Sequence, residues 1–177
     1  MNSVLISIKP NWCELIASGE KMVEVRKTKP KIDVPFKCYI YETKDKKFEH
    51  IGVHYADGRK DFIHHIGKVI GEFVCDQIDV IGYSPEMHGK YISDIDDIHY
   101  VSCVDFEQMF DYLADGYGYG WHITDLVIYD EPRELSDFHI VGCKGCRDKD
   151  TYHCKFHCRG ERRLKRPPQS WCYAERL

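Results

Sequence analysis

The first 27 residues constrain the fold more than any other part of the chain. Ser3 to Ile8 is a run of short and β-branched apolar residues, the composition of a strand. Lys9-Pro10 closes it, and Pro10 suits the first turn of a helix, where its missing N–H would have no intrahelical partner. That helix carries Trp12, Leu15 and Ile16 on one side and stops at Gly19, a residue that adopts the left-handed turn after a helix without steric cost. Met22 to Arg26 then alternates, with Val23 and Val25 on one face and Met22, Glu24 and Arg26 on the other. If the valines face a core, Glu24 and Arg26 project together from the opposite face, with Lys21 beside them at the start of the strand. A strand that only packs gains little from three charges in six positions.

The same reading extends downstream. Pro30 and Pro35 bracket a connection, and Phe36 to Thr43 forms the next strand, with Tyr39 and Tyr41 sharing one face. Residues 44–66 have the polarity of a hairpin or loop, with a turn at Ala56-Asp57-Gly58. Gly67 to Ile81 is the longest strand-like stretch, and Gly71 within it marks a close approach or bulge. Residues 82–100 have the composition of a loop. Phe106, Met109, Phe110 and Leu113 follow helical spacing over 105–114, opened by Asp105 and Gln108 as a capping box. A Gly-Tyr-Gly-Tyr-Gly turn from Gly116 precedes a strand over Ile123 to Tyr129, closed by Pro132. Strands interrupted by single helices, at 177 residues, predict a β-rich α+β fold: a small mixed barrel with two or more covering helices and a cysteine-rich C-terminal appendage.

Several of these segments, in this order, resemble the ASCH superfamily, whose fold is PUA-like. Ile6-Ser7-Ile8-Lys9-Pro10, Trp12 and the pattern Gly19-x-Lys21-x-x-Glu24-x-Arg26 resemble its signature. Gly67 to Asp76 looks like its second landmark, and Trp121-His122-Ile123 with Pro132-Arg133-Glu134-Leu135 looks like its closing strand. Pro167 to Tyr173 is similar to the tail of phage and prophage members from Gram-positive bacteria. The resemblance implies a barrel with a cleft over one side that holds RNA, DNA or a modified nucleoside. It also implies, for a few members, an amidohydrolase that deacylates acetylcytidine with a Lys and a Thr of this motif and a Glu from another strand. Here the lysine position is Lys21, while the position matching the Thr is Glu24. Such an enzyme would use Lys21, Glu24 and Glu72, although alternation leaves the face of Glu72 open.

The residues themselves support a binding site. An arginine fork takes a phosphate or carbonyl edge bidentately, and a carboxylate such as Glu24 accepts from an exocyclic amine. Tyr39, Tyr41 or Trp121, with His122 beside it, would supply a plane on which an unstacked base rests. The leading expectation is therefore a nucleic-acid or nucleotide-binding protein. The alternatives are the amidohydrolase and a phage-type protein-interaction module.

Charge and cysteine spacing set the tail apart. Residues 141–177 carry ten Lys and Arg against four Asp and Glu, leaving 15 basic and 25 acidic residues before them. The expected organisation is an ASCH-like domain over 1–138 and a basic tail over 139–177 that ends on the barrel. Cys143, Cys146, Cys154 and Cys158 form two short knuckles with the spacing of a closed structural zinc site, in which His153 or His157 would serve as an alternative ligand. Arg162, Arg163, Lys165 and Arg166 follow and suit contact with a phosphate backbone. No apolar run approaches the roughly 20 residues that cross a bilayer. With no secretory leader at the first residues, the expected location is the cytoplasm. Oligomeric state leaves no mark in the sequence.

Overall fold

A computed structural model describes residues 3–48, 52–54, 61–84, 86, 90–93, 95, 97–114, 116–140 and 163–176. The four clustered cysteines, His153, His157 and Arg162 lie outside the described residues.

The chain opens with β1 (Ser3–Ile8), α1 (Pro10–Ala17), β2 (Val23–Arg26) and β3 (Phe36–Glu42). A short hairpin follows, β4 (Gly52–Val53) and β5 (Phe62–Ile63), then β6 (Val69–Cys75), β7 (Ile78–Ser84) and β8 (Lys90–Ile92). Two helices, α2 (Ile98–Ser102) and α3 (Phe106–Leu113), precede β9 (Tyr117–His122), β10 (Thr124–Arg133), β11 (Phe138–Ile140) and β12 (Trp171–Arg176). Six strands form one sheet in the order β10-β6-β3-β1-β12-β11, and four form another in the order β2-β9-β7-β8. Within the larger sheet β1 and β3 run parallel, while its other strand pairs are antiparallel. The two sheets are not closed into one continuous barrel.

Both faces of β1 are covered, which explains why its sequence is an apolar run instead of an alternation. Val4, Ile6 and Ile8 join Cys13 and Ile16 of α1, Phe36, Ile40, Phe73 and Trp121 in a core between the sheets. An edge-on contact between Phe36 and Trp121, with ring centroids 5.6 Å apart, ties one sheet to the other. Leu5 points the opposite way, into a layer with Tyr39, Tyr41 and Val69 that is covered by Phe138, Leu164 and Ala174. A third cluster packs Val23, Val25 and Ile81 of the smaller sheet under Ile98, Met109 and Leu113 of the two helices.

Several sequence expectations change. The stretch 67–81 is two strands, because the chain passes from the larger sheet to the smaller one at Asp76-Gln77. Residues 82–100 contain β8 and α2; the Asp97 side chain caps α2 by accepting from the Tyr100 N–H, a signal masked by the polar composition around it. The glycine-tyrosine run is β9, not a turn. Gly118 within it faces α3: a Cβ there would meet Leu113 Cδ2 at 2.7 Å. Gly71 serves the expected close approach, since a Cβ there would lie 2.5 Å from the Val127 carbonyl oxygen. Finally, β10 runs on to Arg133 through a register shift, and β11 and β12 complete the larger sheet beyond it. The last described residues are thus a strand between β1 and β11, integral to the sheet they were expected only to touch.

Candidate functional site

Where β1 ends and α1 begins, a cleft of about 720 Å³ opens between α1, β2, α3 and the segment leading into β12. Its floor is the charged face of β2. Strand alternation places Glu24 and Arg26 here, opposite the packed face of Val23 and Val25, and Lys21 joins them from the turn before the strand.

The three charges form a buried network. Glu24 lies between two cations, with Oε1 2.8 Å from Arg26 Nη2 and Oε2 3.4 Å from Lys21 Nζ. Lys21 is only 2% exposed. Its ammonium donates to the Ser102 carbonyl at 2.5 Å and lies 4.9 Å from the centre of the Trp12 ring. Arg26 donates through Nη2 to the Ser7 carbonyl at 2.7 Å and through Nη1 to Ser170 Oγ at 3.3 Å, while its buried Nε–H has no partner in the structure. Backbone carbonyls of β1 and of the residue ending α2 therefore hold the two cations, so their positions are set by the fold. Burial pulls the Lys21 ammonium below the ordinary lysine value, against the opposing pull of Glu24. Two cations and one anion leave the floor with net positive charge, while Lys9 and Asp111 on the walls offset each other.

The aromatic planes of this cleft are not those expected. Trp12 lines it from α1 and Tyr112 from α3, both partly exposed. Trp121 is fully buried in the inter-sheet core, against Phe36 and Trp171, and offers no free face. Tyr39 and Tyr41 do share a face, as alternation requires, but it is the outer face of the larger sheet, beneath Phe138 and Leu164. His122 turns toward the start of β7, where Nε2 lies 2.6 Å from Asp79 Oδ2. Glu72 pairs across β3 with Tyr39, on that same outer face, and binds Lys37 and the Tyr129 hydroxyl, each at 2.5 Å. The structure therefore brings together Lys21, Glu24 and Arg26, and leaves Glu72, Tyr39, Tyr41, Trp121 and His122 elsewhere. Arg163, Lys165 and Arg166 lie exposed just before Gln169 and Ser170, which form one lip of the cleft.

Trp12 carried a signal that was absorbed by its helix. It follows Pro10 by two residues, at the helix turn nearest the end of β1, where its half-buried ring packs against the edge of the core and also borders the cleft. Tyr112 sits one residue before Leu113 and so falls off the packed stripe of α3.

Among the described residues no cluster of His, Cys, Asp and Glu is arranged to hold a metal ion, and no helix is long and apolar enough to cross a membrane. No protein-family model matches the chain, and no curated protein matches it. Solved structures do. The crystal structure of ASCH from Zymomonas mobilis superposes with a TM-score of 0.57 at 17% identity, over 97% of this chain and 86% of that one. A tyrosine-to-phenylalanine mutant of the same protein superposes with a TM-score of 0.57 at 17% identity, over 98% of this chain and 90% of that one. The architecture is thus that of the ASCH, PUA-like fold.

Proposed function

We propose that the cleft binds a nucleotide, or one unstacked nucleotide of a nucleic acid, with its base between Trp12 and Tyr112. The observation that carries this reading is the buried, net-positive cluster of Lys21, Glu24 and Arg26 on the floor of a cleft flanked by two aromatic side chains. Each part matches a part of the ligand. Aromatic planes stack on the face of any base. The Glu24 carboxylate accepts from an exocyclic amine, and the Arg26 fork, with one N–H unpaired, donates to a carbonyl or phosphate oxygen. The resemblance of the motif to ASCH signatures favours the same ligand class. The basic residues Arg162, Arg163, Lys165 and Arg166, and a zinc-stapled knuckle of Cys143, Cys146, Cys154 and Cys158, belong to this proposal as a second contact surface for phosphates.

The test is calorimetric titration of the purified chain with the common nucleoside 5′-monophosphates and with acetylcytidine. Arg26→Ala is expected to weaken binding by about 1.5–3 kcal/mol, the worth of a hydrogen bond to a charged group. Binding that ignores this substitution and Glu24→Gln alike would refute the cleft as the site.

One observation favours an enzyme as the second reading. Lys21 is buried with its proton affinity lowered by desolvation, as a lysine base or nucleophile requires. The acid expected to complete that chemistry, Glu72, is on the far side of the sheet, so Lys21 and Glu24 would act alone. Release of acetate from acetylcytidine, abolished by Lys21→Met, would establish this reading over simple binding.

A further inference from the structure

The loop between β2 and β3 leaves the cleft with three lysines in five positions, Lys27, Lys29 and Lys31, and no acidic residue among them. Their surroundings differ from those of the two strand-associated lysines Lys37 and Lys68, which are paired with Glu72 and Glu134. Among the described residues, none of the three loop lysines pairs with a carboxylate, and all three are exposed.

Two of them rest on aromatic rings that continue the cleft wall. Lys27 Nζ lies 5.0 Å from the centre of Tyr112, itself a cleft residue, and Lys29 Nζ lies 5.4 Å from the centre of Tyr119. Tyr119 is the β9 residue directly opposite Arg26, so its ring adjoins the cleft floor, and Tyr117 packs edge-on against it two residues along. Lys21 over Trp12 repeats the arrangement inside the cleft. The loop is held in place by the C-terminal strand: Trp171 Nε1 donates to Thr28 Oγ1 at 3.1 Å, and the Lys31 N–H donates to the Tyr173 hydroxyl at 2.7 Å. Ammonium groups resting on partly exposed rings are poised for exchange. A base that stacks on the ring displaces the ammonium, and the phosphate attached to that base is where the displaced charge finds its partner.

From this geometry we infer that Lys27, Lys29 and Lys31, with Tyr112 and Tyr119, form a track for the backbone of a single-stranded nucleic acid whose one nucleotide occupies the cleft. The inference rests on the cleft being a nucleotide site and adds that the ligand is a strand, not a free nucleotide. The track is distinct from the basic residues at 162–166. A base-paired duplex would not enter, since stacking on the rings requires bases freed from pairing.

The experiment compares a fluorescein-labelled single strand of about ten nucleotides, within the usual site size of such grooves, with the four nucleoside 5′-monophosphates. The strand is used as RNA and as DNA, and binding is followed across a salt series. Wild-type chain is expected to bind the strand at least about tenfold more tightly than any monophosphate, at the worth of about one stacked base. The double variant Lys29→Glu/Lys31→Glu is expected to lose that advantage and to flatten the log–log salt dependence by about one to two, at roughly 0.7 per phosphate contact. Its monophosphate affinity stays unchanged, which also verifies that it folds. Binding of either RNA or DNA supports the track, and a preference between them assigns the sugar. A strand that binds no more tightly than a monophosphate, or that ignores the double variant, overturns the track while the cleft reading stands. If neither strand nor monophosphate binds wild-type chain, the cleft reading falls and the track with it.

Discussion

The molecule carries two clusters built around a lysine–glutamate pair, one in the cleft and one on the outer face of the larger sheet. In the cleft a glutamate lies between a lysine and an arginine, all three nearly buried. On the outer face Glu72 lies between Lys37 and the Tyr129 hydroxyl, partly open to solvent. Outer-face charges need no anchoring by the backbone, because water screens them. Those of the cleft are held by the carbonyls of Ser7 and Ser102, without which two buried cations would be poorly solvated. A Lys-Glu motif therefore does not by itself mark a site. Burial beside an open cavity, with ligands to the charges supplied by the fold, is what separates the first cluster from the second.

The sharpest way to break this comparison is to remove each glutamate. Glu24→Ala leaves two buried cations uncompensated and is expected to cost about 3–5 kcal/mol in urea-monitored unfolding. Glu72→Ala, where solvent replaces the lost partner, is expected to cost about 1 kcal/mol. Equal costs would mean that the cleft network is as well solvated as the outer one. Aromatic residues give a smaller, functional contrast. Trp12→Ala is expected to lower nucleotide affinity by about 1–3 kcal/mol, whereas Tyr41→Phe, on the covered face, leaves it unchanged in the same titration.

A pH series sharpens the outer cluster. Burial raises the Glu72 carboxyl, but hydrogen bonds from Lys37 and Tyr129 outweigh it, so the group titrates below the ordinary value of 4.5. A folded pKa below the unfolded one means that the stabilisation is complete above pH 4.5 and fades as pH falls through the folded value. Comparing wild type with Glu72→Gln by chemical denaturation is therefore expected to give a constant difference near neutrality that shrinks on acidification below 4.5. A difference that instead grew in acid would reverse the sign assigned to Glu72.

How much of this was legible in the sequence depends on the range of the interactions involved. Lys21, Glu24 and Arg26 were found because their arrangement is local: alternation within four residues decides which side chains share a face. Alternation likewise put Tyr39 and Tyr41 together, but the face they occupy is decided by Phe138, Leu164 and Ala174, about 100 residues or more away along the chain. Trp121 failed as a stacking plane for a similar reason, since Phe36 and Trp171 enclose it from distant strands. In α3 the spacing of four apolar residues was right and their burial was not. Met109 and Leu113 pack, while Phe106 and Phe110 remain 40% and 41% exposed. Periodicity locates a helix, and only the neighbouring sheet decides how wide a stripe it covers.

The placement of β12 has a consequence for synthesis. β1 leaves the ribosome shortly before β3, its parallel partner, but must wait for Trp171 to Arg176, far downstream, to cover its other edge. Until then Val4, Leu5 and Ile6 present an apolar, unpaired strand edge, the kind of surface on which nascent chains associate. Ser170, which completes the Arg26 contacts, arrives in the same few residues. A truncated product ending before Gln169 would thus lack both one lip of the cleft and the strand that covers the second edge of β1. The second lip of the cleft and the cover of β1 are acquired together, as one short segment emerges.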